Sequence, residues 1–247
     1  SNYAIKLLKG KVGSKSPVHP NDHVNLSQSS NDTFPTVMHI AANEVTEKKL
    51  IPAIKILIKE IKIKSKQYSK IIKIGRTHMQ DATPLTLGNE FSGYLQQIQN
   101  NFDRIVIAKK ELSYLAQGGT AVGTGLNAPK NYDKVFCKLL NKLTINKYKP
   151  AKNKYEAIAS HDALVNFSNS LSNLSVSILK ISNDLRLLSS GPRSGLGEIN
   201  IPANEPGSSI MPGKINPTQI EALSMICTQI IGNNLTVTIA GSQGHFE

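Results

Sequence analysis

The stretch YEAIASHDALVNFSNSLSNLSVSILKISNDLRLLSS, residues 155–190, decides the fold class. Its large apolar residues recur at alternating spacings of three and four, at Leu164, Phe167, Leu171, Leu174, Ile178, Ile181, Leu185 and Leu188. This heptad-like spacing places them in one stripe along a helix. Gly191-Pro192 ends the pattern, because glycine and proline interrupt helices. The stretch therefore predicts a long helix with one apolar side.

Helical patterns also dominate the rest of the chain. They predict four further helices in the first part of the chain: after Pro35 as far as Leu50-Ile51-Pro52, from about Ile54 to Ile72, from Thr83-Pro84 to about Ala116, and from about Asn131 to Leu143. A last helix is predicted from Pro217 onward, with Ile220, Leu223, Cys227 and Ile230 facing inward. Strand-like alternation is nearly absent. Such helices, joined by polar loops, predict an all-α fold, a long antiparallel helix bundle. Its wide apolar stripes need several partners, so we expect homo-oligomerisation.

Composition narrows the class of protein. The chain has 247 residues, 39% of them hydrophobic, which suffices for a sizeable core in one or two domains. The net charge of +12 is spread along helices, and tryptophan is absent, so the basic balance does not indicate a nucleic-acid-binding module. We expect no signal peptide and no apolar run long enough to span a bilayer. Cys137 and Cys227 fall in helical patterns and read as reduced core thiols, which favours a reducing compartment.

Three polar segments carry the candidate chemistry. The segment GSSIMPGKINP, residues 207–217, brings hydroxyls, an ammonium and a carboxamide to a predicted helix start, where Asn216 is the expected N-cap. Backbone N–H groups at such a start favour an anion. The segment VNLSQSSNDTFPT, residues 24–36, is rich in hydroxyl and amide side chains. The segment GRTHMQDATP, residues 75–84, is a polar loop with one histidine.

Together these segments resemble class II fumarases, a family of the fumarase/aspartase superfamily. Two further segments, residues 118–127 and 19–22, are similar to it as well, and the resemblance runs over essentially the whole chain. It implies a small N-terminal domain, a central helix bundle, and bundles that associate into a tetrameric helical core. On that template residues 1–30 are the end of the N-terminal domain, and residues 31–247 are an incomplete central bundle without the C-terminal part.

The resemblance also implies the reaction, the reversible hydration of fumarate to L-malate without a metal or an organic cofactor. It makes Ser208 the base that removes a proton next to a carboxylate. A serine hydroxyl is a very weak acid, so its oxyanion needs loop N–H groups and a nearby positive charge. Lys214 and Asn216 would bind the carboxylate that becomes the aci-acid, and Ser209 would bind substrate through its hydroxyl or backbone.

The other half of the expected site comes from the remaining segments. The resemblance implies that His78, with Thr77, acts through a water on the hydroxide side, and that Glu221 is the carboxylate partner of this histidine. A carboxylate fixes the tautomer of an imidazole and favours its protonated form. Ser29, Ser30 and Asn31 would cradle the second carboxylate. We read residues 118–125 as backbone packed closely near the site.

A second, non-catalytic dicarboxylate site is implied at His19, Asn21 and Asp22. The family usually carries an arginine three residues before this histidine, whereas this chain has Ser16, with Lys15 beside it. That departure weakens the expectation of anion binding there.

The nearest alternative is aspartate ammonia-lyase of the same superfamily, whose typical segments read Ser-Thr-Asn-Asp and Met-Pro-Ala-Lys. This chain has Ser30 and Gly213 at the differing positions, the fumarase form. A non-catalytic structural or basic binding protein would be expected to lack Ser208, His78 or Lys214, and all three are present. The expected partners are fumarate, L-malate and three further copies of the chain, with active sites shared by three subunits. The expected location is the cytoplasm, or the mitochondrial matrix in a eukaryote.

Overall fold

The computed structural model describes residues 1–247. The helices are α1 Asn2–Leu7, α2 Ser30–Val45, α3 Ile51–Gln67, α4 Leu87–Glu111, α5 Tyr132–Leu143, α6 Lys154–Ala159, α7 Asp162–Leu188 and α8 Thr218–Gly241, with π-helical turns at Pro20–Val24 and Thr46–Leu50. The strands are β1 Ile72–Thr77, β2 Gln80–Thr86, β3 Tyr114–Leu115 and β4 Lys149–Pro150. β1 and β2 pair antiparallel, whereas β3 and β4 pair parallel. The predicted helical fold class is confirmed.

The chain forms two compact units. The first contains Ser1–Glu47, Lys110–Leu164 and Gln243–Glu247, and the second contains Lys48–Lys109 and Val165–Ser242. The boundary expected at residue 30 does not coincide with either unit and stays a prediction.

The second unit is an antiparallel arrangement of α3, α4, α7 and α8. Tyr94 of α4 hydrogen-bonds Asp184 of α7, and Asn101, further along α4, hydrogen-bonds Ser177. Because the residue numbers rise on α4 while they fall on α7, the two helices are antiparallel. The ring of Tyr68 packs edge-on against that of Phe91, and the Ser65 hydroxyl donates to the Gly88 carbonyl, which joins the end of α3 to the start of α4. Ser168 meets Asn234, and Arg186 meets Glu221, so α8 is antiparallel to α7.

The apolar stripe of α7 divides into two rows. Phe167, Leu174, Ile181 and Leu188, each seven residues apart, are buried within the chain. The alternate row of Leu164, Leu171, Ile178 and Leu185 is only half-buried. A heptad stripe that is buried in one row and half-open in the other leaves apolar surface for further helices.

α8 departs from the prediction that its apolar residues face inward. Only Cys227 is buried on this helix, while Leu223 is 40% exposed and Leu235 is 62% exposed. By length and composition α8 is apolar enough to cross a membrane, and only 6% of its most apolar window is buried. The expectation that no run reaches that length was wrong, because Glu221 is the only charged residue between Thr218 and Gly241. A helix in the core of an assembly meets the same criterion.

Capping explains why several helix ends differ from their predicted positions. The predicted helix from 155 to 190 is interrupted at Ser160, whose backbone is extended and whose hydroxyl accepts from the N–H of Asp162. Thr83-Pro84 belongs to β2, not to a helix start; α4 begins only after Thr86, which exchanges hydrogen bonds with Asn89. α2 begins well before Pro35, because Ser29 and Asp32 form a capping box.

Candidate active site

The loop at residues 207–217 is a closed turn that holds Ser208 half-buried at its base. The Ser208 hydroxyl oxygen accepts from the backbone N–H of Ile210 at 3.4 Å, and the N–H of Lys214 donates to the carbonyl of Met211 at 3.2 Å. A Cβ on Gly207 would lie 2.7 Å from the Lys214 carbonyl oxygen, so the two ends of the loop meet closely. Gly213 has a φ of +83°, a conformation that favours glycine.

A cavity of about 740 Å³ lies beside this loop. Its polar lining includes the cationic side chains of Arg186 and Lys214 and the amides of Asn183 and Asn216. The start of α8 adds the partial positive charge of a helix N-terminus. With Asn200 the lining holds three amides. Two cations, three amides and a helix end are the chemistry that binds a carboxylate.

The predicted N-cap role of Asn216 was wrong. The N-cap of α8 is Pro217, without a side-chain capping bond, and the first helical bond runs from the N–H of Glu221 to the carbonyl of Pro217. The reason is that the helix starts one residue later than predicted, so the Asn216 amide precedes the cap. That amide lines the cavity instead.

His78 lies at the tip of a β-hairpin, whereas the sequence predicted a loop. Thr77 pairs with Gln80 across the two-residue turn formed by His78 and Met79. Both turn residues have positive φ, 55° and 60°, as a two-residue hairpin turn requires. Such turns normally contain Asn or Gly, so this one holds two residues in a strained conformation. His78 is exposed.

Charged side chains tie β1 to its surroundings. Arg76, two residues before His78, forms an ion pair with Glu198. Lys73 contacts Glu90 and lies 2.8 Å from Glu198. Burial alone would raise the pKa of Glu198, but hydrogen bonds from Arg76 and Lys73, with their charges, lower it below its usual value. The hydrogen bond to Glu198 in turn raises the pKa of Arg76.

Glu221 lies in the first turn of α8, as predicted. Its carboxylate is 3.4 Å from the guanidinium of Arg186, and each of the two side chains is 42% exposed. Within the chain, Glu221 therefore contacts an arginine of α7 and not His78. Its pairing with His78 stays a prediction that needs a histidine from elsewhere.

The Ser29–Asn31 segment is shaped by a residue that sequence reasoning did not single out, Asp32. Ser29 Oγ accepts from the N–H of Asn31 at 3.2 Å, and the Asn31 amide donates to the Ala121 carbonyl at 2.8 Å. Asp32 is fully buried and accepts from the backbone N–H groups of Ser29, Gly118 and Thr120. The capping-box pattern of a serine followed three residues later by an acid was the available signal.

The glycine-rich segment at 118–125 packs closely, as expected. A Cβ on Gly118 would lie 2.8 Å from that of Asp133, and one on Gly123 would lie 2.7 Å from the Tyr155 ring. Both glycines have positive φ. Because Asp32 holds the backbone of this segment and Asn31 contacts Ala121, the segment forms a wall beside the Ser29–Asn31 cradle.

The expected second site is already occupied by internal contacts. The N–H groups of Asn21 and Asp22 both lie 3.3 Å from Nδ1 of His19, which caps the turn at Pro20–Val24. The Asp22 carboxylate is 3.2 Å from the same nitrogen. An anion here would have to displace the imidazole, so a dicarboxylate site at His19, Asn21 and Asp22 stays a prediction.

The predicted site residues fall into two groups. Ser29, Ser30 and Asn31 belong to the first compact unit, and Thr77, His78, Ser208, Ser209, Lys214, Asn216 and Glu221 belong to the second. Within the second unit Thr77 lines a cavity of about 450 Å³, whereas Lys214 and Asn216 line the larger one. The hairpin and the serine loop therefore face different cavities.

A family match, related sequences and a solved structure all relate this chain to lyases named fumarate hydratase or fumarase. Residues 1–232 match the family described as Lyase. The chain is 60% identical over 247 residues to the class II fumarate hydratase of Rickettsia bellii, covering 53% of it, and 58% identical to the mitochondrial fumarate hydratase of Schizosaccharomyces pombe, covering 48%. The crystal structure of a class II fumarase from Schistosoma mansoni matches with a TM-score of 0.94 and 47% identity, over 100% of this chain and 55% of that one. The chain thus spans about half the length of these relatives.

Proposed function

Since this chain belongs to the lyase family, we propose that it catalyses the reversible hydration of fumarate to L-malate, the fumarase step of the tricarboxylic acid cycle. The resemblance to class II fumarases is confirmed by the relatives that carry that name. The observation that carries the proposal is the loop at residues 207–217. In it the Ser208 hydroxyl accepts from the N–H of Ile210, and Lys214 and Asn216 line a cavity beside the start of α8.

Ser208 acts as the base in the malate direction. The N–H of Ile210 donates to its oxygen, which is the contact that an oxyanion there requires. The electron pair left on carbon spreads into the adjacent carboxylate, which becomes a dianion. Lys214 and Asn216 line the neighbouring cavity and stabilise this charge more strongly in the transition state than in the ground state.

His78, with Thr77, acts through a water on the side where hydroxide leaves or adds. The hairpin tip exposes the imidazole, so it is available to another surface. Glu221 is the carboxylate that fixes its tautomer, replacing the Arg186 contact when a hairpin approaches. Ser29, Ser30 and Asn31 hold the second carboxylate, and Ser209 assists binding.

The active site is shared by three subunits of a homotetramer. Two observations support this: the hairpin and the serine loop line different cavities of one chain, and α8 exposes most of its apolar side chains. A chain in the cytoplasm or in a mitochondrial matrix would meet both fumarate and its own copies there.

The test compares the variants Ser208→Ala and Ser209→Ala, each assayed with fumarate and with aspartate as substrate. We expect Ser208→Ala to lower kcat by roughly two to four orders of magnitude with KM largely kept, because the lost interaction belongs to the transition state. Ser209→Ala should mainly raise KM. Loss of fumarate absorbance measures hydration, and ammonia release from aspartate measures the alternative, ammonia-lyase. Near-normal turnover of a folded Ser208→Ala protein would refute the assignment of the base.

A further inference from the structure

A connected network of side chains runs through the second compact unit. Its members are Lys73 and Arg76 on β1, Glu90 and Tyr94 on α4, Lys180 and Asp184 on α7, and Glu198 after α7. The Tyr94 hydroxyl lies 2.9 Å from a Glu90 oxygen and 3.0 Å from an Asp184 oxygen. The network therefore fastens the hairpin to both helices and to the segment that leads to Ser208.

Glu198 holds a special place in this network because it is fixed from two directions. Its backbone N–H donates to the Leu188 carbonyl at 2.8 Å, and the N–H of Gly197 donates to the Ser190 carbonyl at 2.7 Å. The segment is thereby folded back on the end of α7. The Glu198 carboxylate meanwhile contacts both Arg76 and Lys73 and is only 20% exposed.

The hairpin needs such an external tie. His78 and Met79 both have positive φ, and a strained turn persists only where its surroundings hold it. His78 is exposed at the tip of the hairpin, so the direction of its side chain depends on the backbone of β1 and β2. The Glu198 carboxylate forms an ion pair with Arg76 of β1, which lies two residues before His78. Along the chain, Glu198 itself lies ten residues before Ser208.

We propose that Glu198 is a positioning residue that fixes the His78 hairpin against the root of the Ser208 loop. The catalytic meaning of this inference rests on the proposed function. The side chain touches no substrate; it acts through Arg76 and Lys73 on one side and through the segment at residues 190–200 on the other. Removing its charge should loosen both catalytic segments together while leaving the helices intact.

The test compares Glu198→Gln with Glu205→Gln, which removes an equal charge from an exposed position of the same segment. Hydrogen exchange of residues 72–86 is measured in the purified chain, together with the imidazole signal of His78, assigned by its loss in His78→Asn. We expect Glu198→Gln to speed exchange in the hairpin roughly ten-fold, because local opening follows the loss of charged hydrogen bonds. The His78 signal should shift, and exchange in α4 and α7 should stay unchanged.

Glu205→Gln should change neither measurement. If Glu198→Gln behaves like this control, or if exchange rises equally in every helix, the positioning role is wrong. If Glu198→Gln does not fold, Arg76→Lys is the second variant, because it removes the planar guanidinium but keeps the positive charge. We expect it to speed hydrogen exchange in the hairpin too, but by a smaller factor than Glu198→Gln. An unchanged hairpin in that variant would also overturn the proposal.

Turnover separates this inference from the proposed function. Glu198→Gln should lower kcat about ten-fold with KM within about two-fold, as expected when alignment for the transition state is lost. Normal kcat despite a loosened hairpin would overturn the positioning role and leave the proposed function standing. No hydratase activity in the unaltered protein, with a loosened hairpin in Glu198→Gln, would refute the proposed function and leave the structural tie.

Discussion

Asp32 shows how a single buried carboxylate can organise a binding segment without touching a substrate. It caps α2 and, through Gly118 and Thr120, holds the glycine-rich segment against the Ser29–Asn31 cradle. Ser29, Ser30 and Asn31 could be predicted as binding residues from the sequence, because hydroxyl and amide side chains commonly bind carboxylates. The role of Asp32 could not be predicted in the same way. A capping pattern does not show whether the carboxylate is buried, and burial decides its role.

Replacing Asp32 with Asn should destabilise the protein. The amide would point N–H donors at backbone N–H groups that now donate to a carboxylate, so we expect a loss of roughly 2–4 kcal/mol in the free energy of unfolding. Urea unfolding followed by circular dichroism measures it. Asp103→Asn, at an exposed position of α4, is the control and should change little. Equal stability of the two variants would contradict the structural role of Asp32.

Glu198 predicts a pH dependence of stability. Because the folded protein lowers the pKa of this carboxyl below its usual 4.5, its stabilising contribution is present above that value and is lost as pH falls through the folded pKa. The difference in unfolding free energy between the unaltered protein and Glu198→Gln should therefore be full at pH 7 and shrink below pH 4.5. Urea unfolding across this range measures it, and a difference that does not vary with pH would refute the ion pair.

At the scale of elements, α7 was predictable and the β1–β2 hairpin was not. The stripe from Leu164 to Leu188 repeats often enough for its period to show helix and buried face together. The hairpin has no Asn-Gly turn, and Pro84 lies within β2, opposite Ile74. Both features argue against strands in sequence reasoning. What holds the hairpin is charge pairing with Glu90 and Glu198, distant positions that no local pattern contains.

The turn itself can be tested at Met79, whose side chain is 62% exposed. Met79→Gly and Met79→Ala both delete that side chain, but only glycine adopts positive φ without a steric penalty. We expect the glycine variant to be about 1 kcal/mol more stable than the alanine variant, the lower end of the usual left-handed penalty. Thermal or urea unfolding measures the difference. A more stable alanine variant would show that Met79 is not in this conformation.

At the scale of the whole molecule, the exposed face of α8 predicts association. Its mid-helix amides, Gln229, Asn233 and Asn234, are costly in lipid but tolerable between helices. We therefore expect the purified chain to be multimeric at micromolar concentration, and Leu235→Asp to weaken that association. Light scattering measures the mass. Leu143→Asp, at an 85% exposed site on α5, is the control and should leave the mass unchanged. A monomer in the unaltered protein would contradict the interpretation.

The exposure of α8 also has a kinetic consequence. On the proposed association, α8 is covered only when the chain meets another copy, so we expect the last step of folding to be a second-order reaction. Its half-time should shorten in proportion as protein concentration rises, and the apparent melting temperature should rise with it. Dilution would then act on this protein as a denaturant does, and a cell that makes little of the chain would hold a larger fraction of it unfinished.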